Sequence, residues 1–355
     1  MKKIPEKLKN KPIIAILLIL SIILFLLCTL SIFVLASVSQ YEEKISGNAQ
    51  FNQAFSVVEN ILLNRKPIHE EVLKETEPDE NDHSLTDYKR DRIKTSHVEL
   101  SPSMDMLLKE NEVSIKDLEG MSRKLESLTE QLDEPIHSTF GKEVVYVYHS
   151  HSRESFLPYL GKEDPEAAFH SEVNITLVGQ MLENSLQQRG IGTQSDSTDV
   201  VQILSDRGLT YNNSYYVSRE IAMSAMEENK NLEILLDIHR DSLRREATTI
   251  SINGESHAKL LFVVGTGHRD YKKNKRFSEA INTLLEKNYH GLSKGVLEKD
   301  NNQGNGVYNQ DLSPNSVIVE IGGVDNNIEE INRTVRILAD MISEYYWHGE
   351  TGREI

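Results

Sequence analysis

The sequence predicts an α/β fold, a mostly parallel sheet covered by helices, behind a single N-terminal apolar segment. Three observations carry that expectation. From Gly141 onward, short apolar runs alternate with helix-length segments, the order that builds a parallel sheet. Three runs end abruptly in polar clusters: VYVYHSHSRES (Val145 to Ser155), LLDIHRDS (Leu235 to Ser242) and VIVEIGG (Val317 to Gly323). The N-terminus holds an uncharged apolar stretch from Ile13 to Ala36, preceded by Lys2, Lys3, Lys7, Lys9 and Lys11.

That stretch exceeds the roughly 20 residues that cross a bilayer core. Lysines before it hold the N-terminus in the cytoplasm. The predicted organisation is a cytoplasmic tail (1–12), a transmembrane anchor (13–36), an extracytoplasmic spacer with helical segments (37–140) and an α/β domain (141–355). The rival reading is a signal peptide cut after Val34-Leu35-Ala36, although the run is long for one.

Composition narrows the classes. The 355 residues carry a formal net charge of -16 and no basic stripe, which argues against a nucleic-acid partner. Cys28 is the one cysteine, so neither an internal disulfide nor a cysteine-based zinc site can form. A metal would have to use histidine and carboxylate.

The elements follow in order. In the spacer, Phe51 to Leu63 has helical spacing, Lys74 to Lys94 is densely charged and reads as loop, and Met104 to Leu132 is helical again. Glu143 to Tyr148 reads as the first strand. Ser171 can cap a helix to Arg189, stopped by Gly190. A helix from Ser214 to about Asn229 leads into a strand at Leu232 to Ile238. A strand at Lys259 to Val264 and a helix at Lys275 to Asn288 come next, then a short buried strand at Val317 to Val319. Asn327 and Glu330 make a capping box for a helix through Tyr346.

In open α/β sheets ligands bind outside the carboxyl ends of the strands. His151, His239 and Glu320 should therefore meet on one edge. His149 lies two residues before His151, and alternation along an extended chain lets both face one way; which of them binds a metal stays open. Glu172, expected in the first turn of the next helix, can reach the same edge or simply answer the helix dipole. Asp237 or Asp241 can accept from the far ring nitrogen of His239. Glu320 ends an apolar run, where a carboxylate is costly without a cation or a proton. Two histidines, one glutamate and an open position form a catalytic zinc site. A second glutamate that binds no metal can move the water proton to a leaving amine. Together that is the chemistry of amide hydrolysis.

The blocks YHSHSRESFLPYL, HSEVNITLVGQMLENSLQQRGI, GLTYNNSYYVSRE, LLDIHRDS and NQDLSPNSVIVEIGGVDN, in this order, resemble the stage II sporulation protein P family of membrane-anchored cell-wall hydrolases. The resemblance implies a fold similar to zinc-dependent N-acetylmuramoyl-L-alanine amidases. It implies His151, Glu172 and His239 as Zn2+ ligands and Glu320 as catalytic acid/base. His149, Glu154 and Arg219 are additional candidates, because the first block departs from the Gly-His-Gly-Gly of the wider amidase group. Also implied are peptidoglycan as substrate, amidase and endopeptidase activities, and partnership with stage II sporulation proteins D and M at the septal membrane during engulfment. Two other functions compete: a non-catalytic wall-binding scaffold on the same fold, and a zinc peptidase of different bond specificity.

Overall fold

The computed structural model describes residues 102–109, 113 and 135–349. The expected anchor at 13–36, the helical segment at 51–63, the charged loop at 74–94 and most of the helical stretch at 104–132 lie outside the described residues. No described helix is long and apolar enough to cross a membrane.

Eight α-helices and eight strands order the described residues. They are α1 (Met104–Leu108), β1 (Glu143–Tyr148), α2 (Leu157–Leu160), α3 (Ile175–Gln188), β2 (Gly192–Ser195), α4 (Val200–Asp206), α5 (Ser214–Glu228), β3 (Ile234–Asp241), α6 (Arg245–Thr248), β4 (Thr249–Ile252), β5 (Glu255–Ala258), β6 (Leu260–Gly265), α7 (Tyr271–Asn288), β7 (Ser293–Lys299), β8 (Asn315–Gly323) and α8 (Ile328–Glu344).

Six strands form one sheet in the order β2-β1-β3-β8-β6-β7. The pairings β2 with β1, β1 with β3 and β3 with β8 are parallel. β6 runs antiparallel to β8, and β7 parallel to β6. The sheet is thus mostly parallel, with its β6–β7 end reversed. β1, β3 and β8 are apolar almost throughout because both of their faces are covered. Ala222 and Ala225 of α5 pack on Tyr146, Tyr148 and Leu235 on one face. On the other face α3, α7 and α8 pack on the sheet and α8 touches both of its companions. β4 and β5 form a separate two-stranded hairpin.

Local signals explain several boundaries. Asn327 and Glu330 make the expected capping box at the start of α8. The helix after β1 begins later than expected. Its cap is Asn174, whose side chain accepts from the Thr176 N–H at 2.9 Å, and not Ser171. β8 is also longer than Val317 to Val319, and this extension puts Glu320 within the strand.

Candidate metal centre

The register sets the centre. In the parallel pairing of β3 with β8, His239 stands opposite Glu320, so both side chains leave the same face of the sheet. One position earlier on that face, Asp237 stands opposite Tyr148, the last residue of β1. The chain leaving β1 turns from Ser150 and carries its polar residues across the ends of these strands.

The turn is pinned by buried bonds. The Ser150 N–H donates to Asp237 Oδ1 at 2.8 Å, and its hydroxyl donates to Asp237 Oδ2 at 2.6 Å. The Arg240 N–H donates to Glu154 Oε2 at 3.0 Å, and its guanidinium reaches the Ser155 and Ala168 carbonyls, both at 2.9 Å. Arg153 grips Asp199 with Nε and Nη2 and donates Nη1 to the Leu107 carbonyl at 2.9 Å. The segment just upstream of the domain is thereby tied to the loop that carries His151 and Glu154.

His151, Glu154 and His239 converge, each offering a ligand atom within 4.8 Å of the others. Glu154 places Oε1 3.3 Å from His151 Nδ1 and Oε2 3.5 Å from His239 Nδ1. On the other side of His239, the buried Asp237 places Oδ1 2.9 Å from Nε2. Burial pushes the His239 imidazole down, yet the Asp237 and Glu154 charges outweigh it and hold it well above its usual range. Burial likewise pushes Glu154 up, and His239 and His151 hold it well below the carboxylate range.

This arrangement fits a divalent cation. Two imidazoles and a carboxylate are the donors that zinc takes in catalytic sites. The anionic field that favours a proton on His239 favours a metal between the same groups. A carboxylate on the far ring nitrogen is the usual support of a metal-bound histidine, and Asp237 stands there.

The other sequence candidates fall elsewhere. Glu172 is not part of the converging group. It precedes α3 instead of opening it, and its N–H donates to His170 Nδ1 at 3.0 Å. His149 and His151 do not face one way, because the strand ends at Tyr148 and alternation stops there. His149 is buried, with Nδ1 2.9 Å from the Ile238 carbonyl, and packs so closely on α3 that a Cβ at Gly179 would collide with its Nε2. Burial depresses its pKa. Arg219 forms a two-pronged pair with Asp311 at 2.7 and 2.8 Å. The glycines after Glu320 serve close packing: Gly322 has φ +68, and a side chain there would strike Asn326 and Ala258.

Glu320 has a different environment from Glu154. Burial, and then the charge of Asp241, push its pKa up to about 7, the range of a proton carrier near neutrality. Asp241 is itself paired with Lys294 at 2.6 Å. Sequence reasoning missed the aromatic wall above the histidines. Tyr211 stacks on His151 with ring centroids 4.6 Å apart, and Tyr215 lies 5.4 Å from His151 and 6.5 Å from His239. The signal for Glu154 was present in the His-x-x-Glu spacing of His151 to Glu154. The tyrosines fall in the block GLTYNNSYYVSRE, but they lie some sixty residues downstream and no spacing ties them to the histidines.

Comparison with known proteins adds three findings. The family described as Stage II sporulation protein P (SpoIIP) matches residues 39–343. A protein of Bacillus subtilis (strain 168) named Stage II sporulation protein P is 42% identical over 253 residues, which is 71% of this chain and 63% of that protein. Among solved structures, an N-acetylmuramoyl-L-alanine amidase from Clostridium difficile 630 aligns over 60% of this chain and 100% of its own, with a TM-score of 0.34 and 11% identity. At that score the likeness carries no argument.

Proposed function

The chain belongs to the stage II sporulation protein P family, and from that premise we propose that it is a metal-dependent hydrolase of peptidoglycan in sporulation, cutting the amide between N-acetylmuramic acid and L-alanine. The observation that carries this reading is the convergence of His151, Glu154 and His239 beside Glu320. Zinc is the proposed metal, held by those three side chains with Asp237 behind His239. When bound, it would polarise the scissile carbonyl and make a water more acidic.

The chain's own residues do the rest. Glu320 accepts a proton from the attacking water at a carboxylate oxygen as the new C–O bond forms. It then gives that proton to the amide nitrogen as the C–N bond breaks, so a carboxylic acid and an amine leave, which ionise to carboxylate and ammonium. A pKa near 7 suits both halves of this transfer. Glu154 remains ionised, as a ligand must. The lysine-flanked run at 13–36 supports a membrane anchor that holds the domain toward the wall. Family membership supports an added endopeptidase activity and work alongside stage II sporulation proteins D and M.

The test is digestion of purified peptidoglycan by the full chain, with and without a chelator, followed by identification of the new ends. Expected are L-alanine amino ends and muramic acid freed of peptide, both abolished by the chelator and restored by zinc. Binding to the wall without release of either end would favour a scaffold. New amino ends at other residues would favour a peptidase.

A further inference from the structure

The proposed hydrolysis puts negative charge on the carbonyl oxygen in a strongly anionic place. Glu154, Asp237, Asp241 and Glu320 all stand around the strand ends. The nearby cations are engaged: Arg153 with Asp199, Arg240 with the Ser155 and Ala168 carbonyls, Lys294 with Asp241, and Arg219 with Asp311. A neutral donor aimed at the centre would answer this charge with no counter-ion of its own.

Tyr215 is placed for that. It sits in the first turn of α5, the helix that feeds β3, at the same edge as the three converging side chains. Its ring lies against both histidines, tilted to His151 and nearly parallel to His239 at 18°. Behind it, the Tyr308 ring meets it edge-on at 5.2 Å and packs with Val263 and Ile318, which fixes the ring from the sheet side. The two tyrosines of the wall differ. Tyr211 is buried and braces His151, whereas Tyr215 is only partly buried. Among the described residues the Tyr215 hydroxyl makes no hydrogen bond, and it is not sealed from solvent. A phenol whose ring is fixed beside both histidines, and whose O–H is unclaimed, is a preorganised donor.

We propose that Tyr215 is a catalytic residue of this centre, whose phenol O–H donates a hydrogen bond to the carbonyl oxygen of the scissile amide as that oxygen becomes negative. No bond is made or broken at Tyr215, and its proton stays on the phenol. The proposal rests on the hydrolase reading but not on which amide is cut.

The experiment compares the full wild-type chain with Tyr215→Phe on purified peptidoglycan. It measures kcat, KM, the identity of the released ends, bound metal by elemental analysis, and sedimentation with intact wall. Phe keeps the ring and removes only the donor. The expected result is a fall in kcat of about 10²–10³-fold, the usual cost of one lost oxyanion donor. KM, metal content and wall binding should change less than about twofold, which a merely structural role for Tyr215 would not produce. An unchanged kcat overturns the proposal, and so does loss of metal in parallel with activity, which would make the residue a brace for the histidines. Release of ends other than muramoyl–alanine by the wild type, still slowed in Tyr215→Phe, would overturn the amidase reading and leave this one standing. A wild-type chain that cuts no bond overturns both.

Discussion

Among the described residues, two carboxyl groups are pushed up to about 7, and they sit in very different places. Glu320 lies in β8 opposite His239, raised by burial and then by Asp241. Glu183 lies on α3 beside β2, raised by burial and then by Glu143. The cause is the same at both sites: partial loss of water and a like charge nearby. Yet only Glu320 has histidines, a second carboxylate and an aromatic wall within reach. A perturbed proton affinity alone therefore does not mark an active site. Convergence with groups of different chemistry does.

The largest effect should come from the group that gathers the histidines. Glu154→Gln should lose bound metal and essentially all hydrolysis, because a neutral amide is a poor ligand. Glu172→Gln, on the residue that stands outside the converging group, should keep both. Elemental analysis of the two variants decides between them; metal retained in Glu154→Gln and lost in Glu172→Gln would restore the ligand set implied by the resemblance.

Next in size is Glu320→Gln, which sharpens the contrast between the two raised carboxyls. It should retain metal and lose about 10²–10⁴-fold in rate, the usual worth of a general acid/base. Its folded state should be no less stable than wild type above pH 7, since the costly charge is gone. A Glu320→Gln enzyme that digests wall at the wild-type rate would remove Glu320 from the chemistry.

How much of this was legible in the sequence follows from what each segment buries. β1, β3 and β8 are apolar runs closed by polar clusters, so the edge and the nearness of His239 to Glu320 could be read directly. β2 (GTQS) and β7 (SKGVLEK) are edge strands with few apolar residues, and neither their existence nor the reversal of β6 and β7 has a local signal. Glu172 stands outside the converging group and Glu154 inside it for a structural reason. The former depended on a helix start that fell three residues later, at Asn174. The latter stands beside His151 by the His-x-x-Glu spacing, but its approach to His239 depends on the pairing of Glu154 with Phe169 and on the Arg240 N–H, long-range contacts without a local signal.

A smaller effect tests the support under the centre. Ser150→Ala would strip two hydrogen bonds down to one at the buried Asp237 carboxylate, costing about 1–3 kcal/mol of stability. Asn302→Ala removes only a local contact to Asp300 in an exposed turn and should cost under about 0.5 kcal/mol. Chemical denaturation of both variants gives the comparison. Equal losses would mean that the Ser150–Asp237 bonds do not hold the loop.

The smallest predicted effect is at Glu183, and its sign is fixed by linkage. The carboxyl titrates near 7 when folded and near 4.5 when unfolded, so folding favours the protonated form. Its contribution is fully present below pH 4.5 and is lost as pH rises through 7. Glu183→Gln is neutral at every pH and escapes that loss. It should match wild type near pH 4 and exceed it at pH 8. Glu183 is partly open to solvent, so the gain is discounted to about 1 kcal/mol, or ~2–4 °C in Tm. Hydrolysis should be unchanged, since Glu183 touches none of the converging groups. Thermal unfolding at the two pH values and a wall-digestion rate measure all of this. A gain at pH 4 as large as at pH 8 would show that the substitution stabilises through packing and not through the proton. A fall in rate would show that the Glu183 carboxyl is coupled to the site after all, and the contrast with Glu320 would then be one of distance instead of kind.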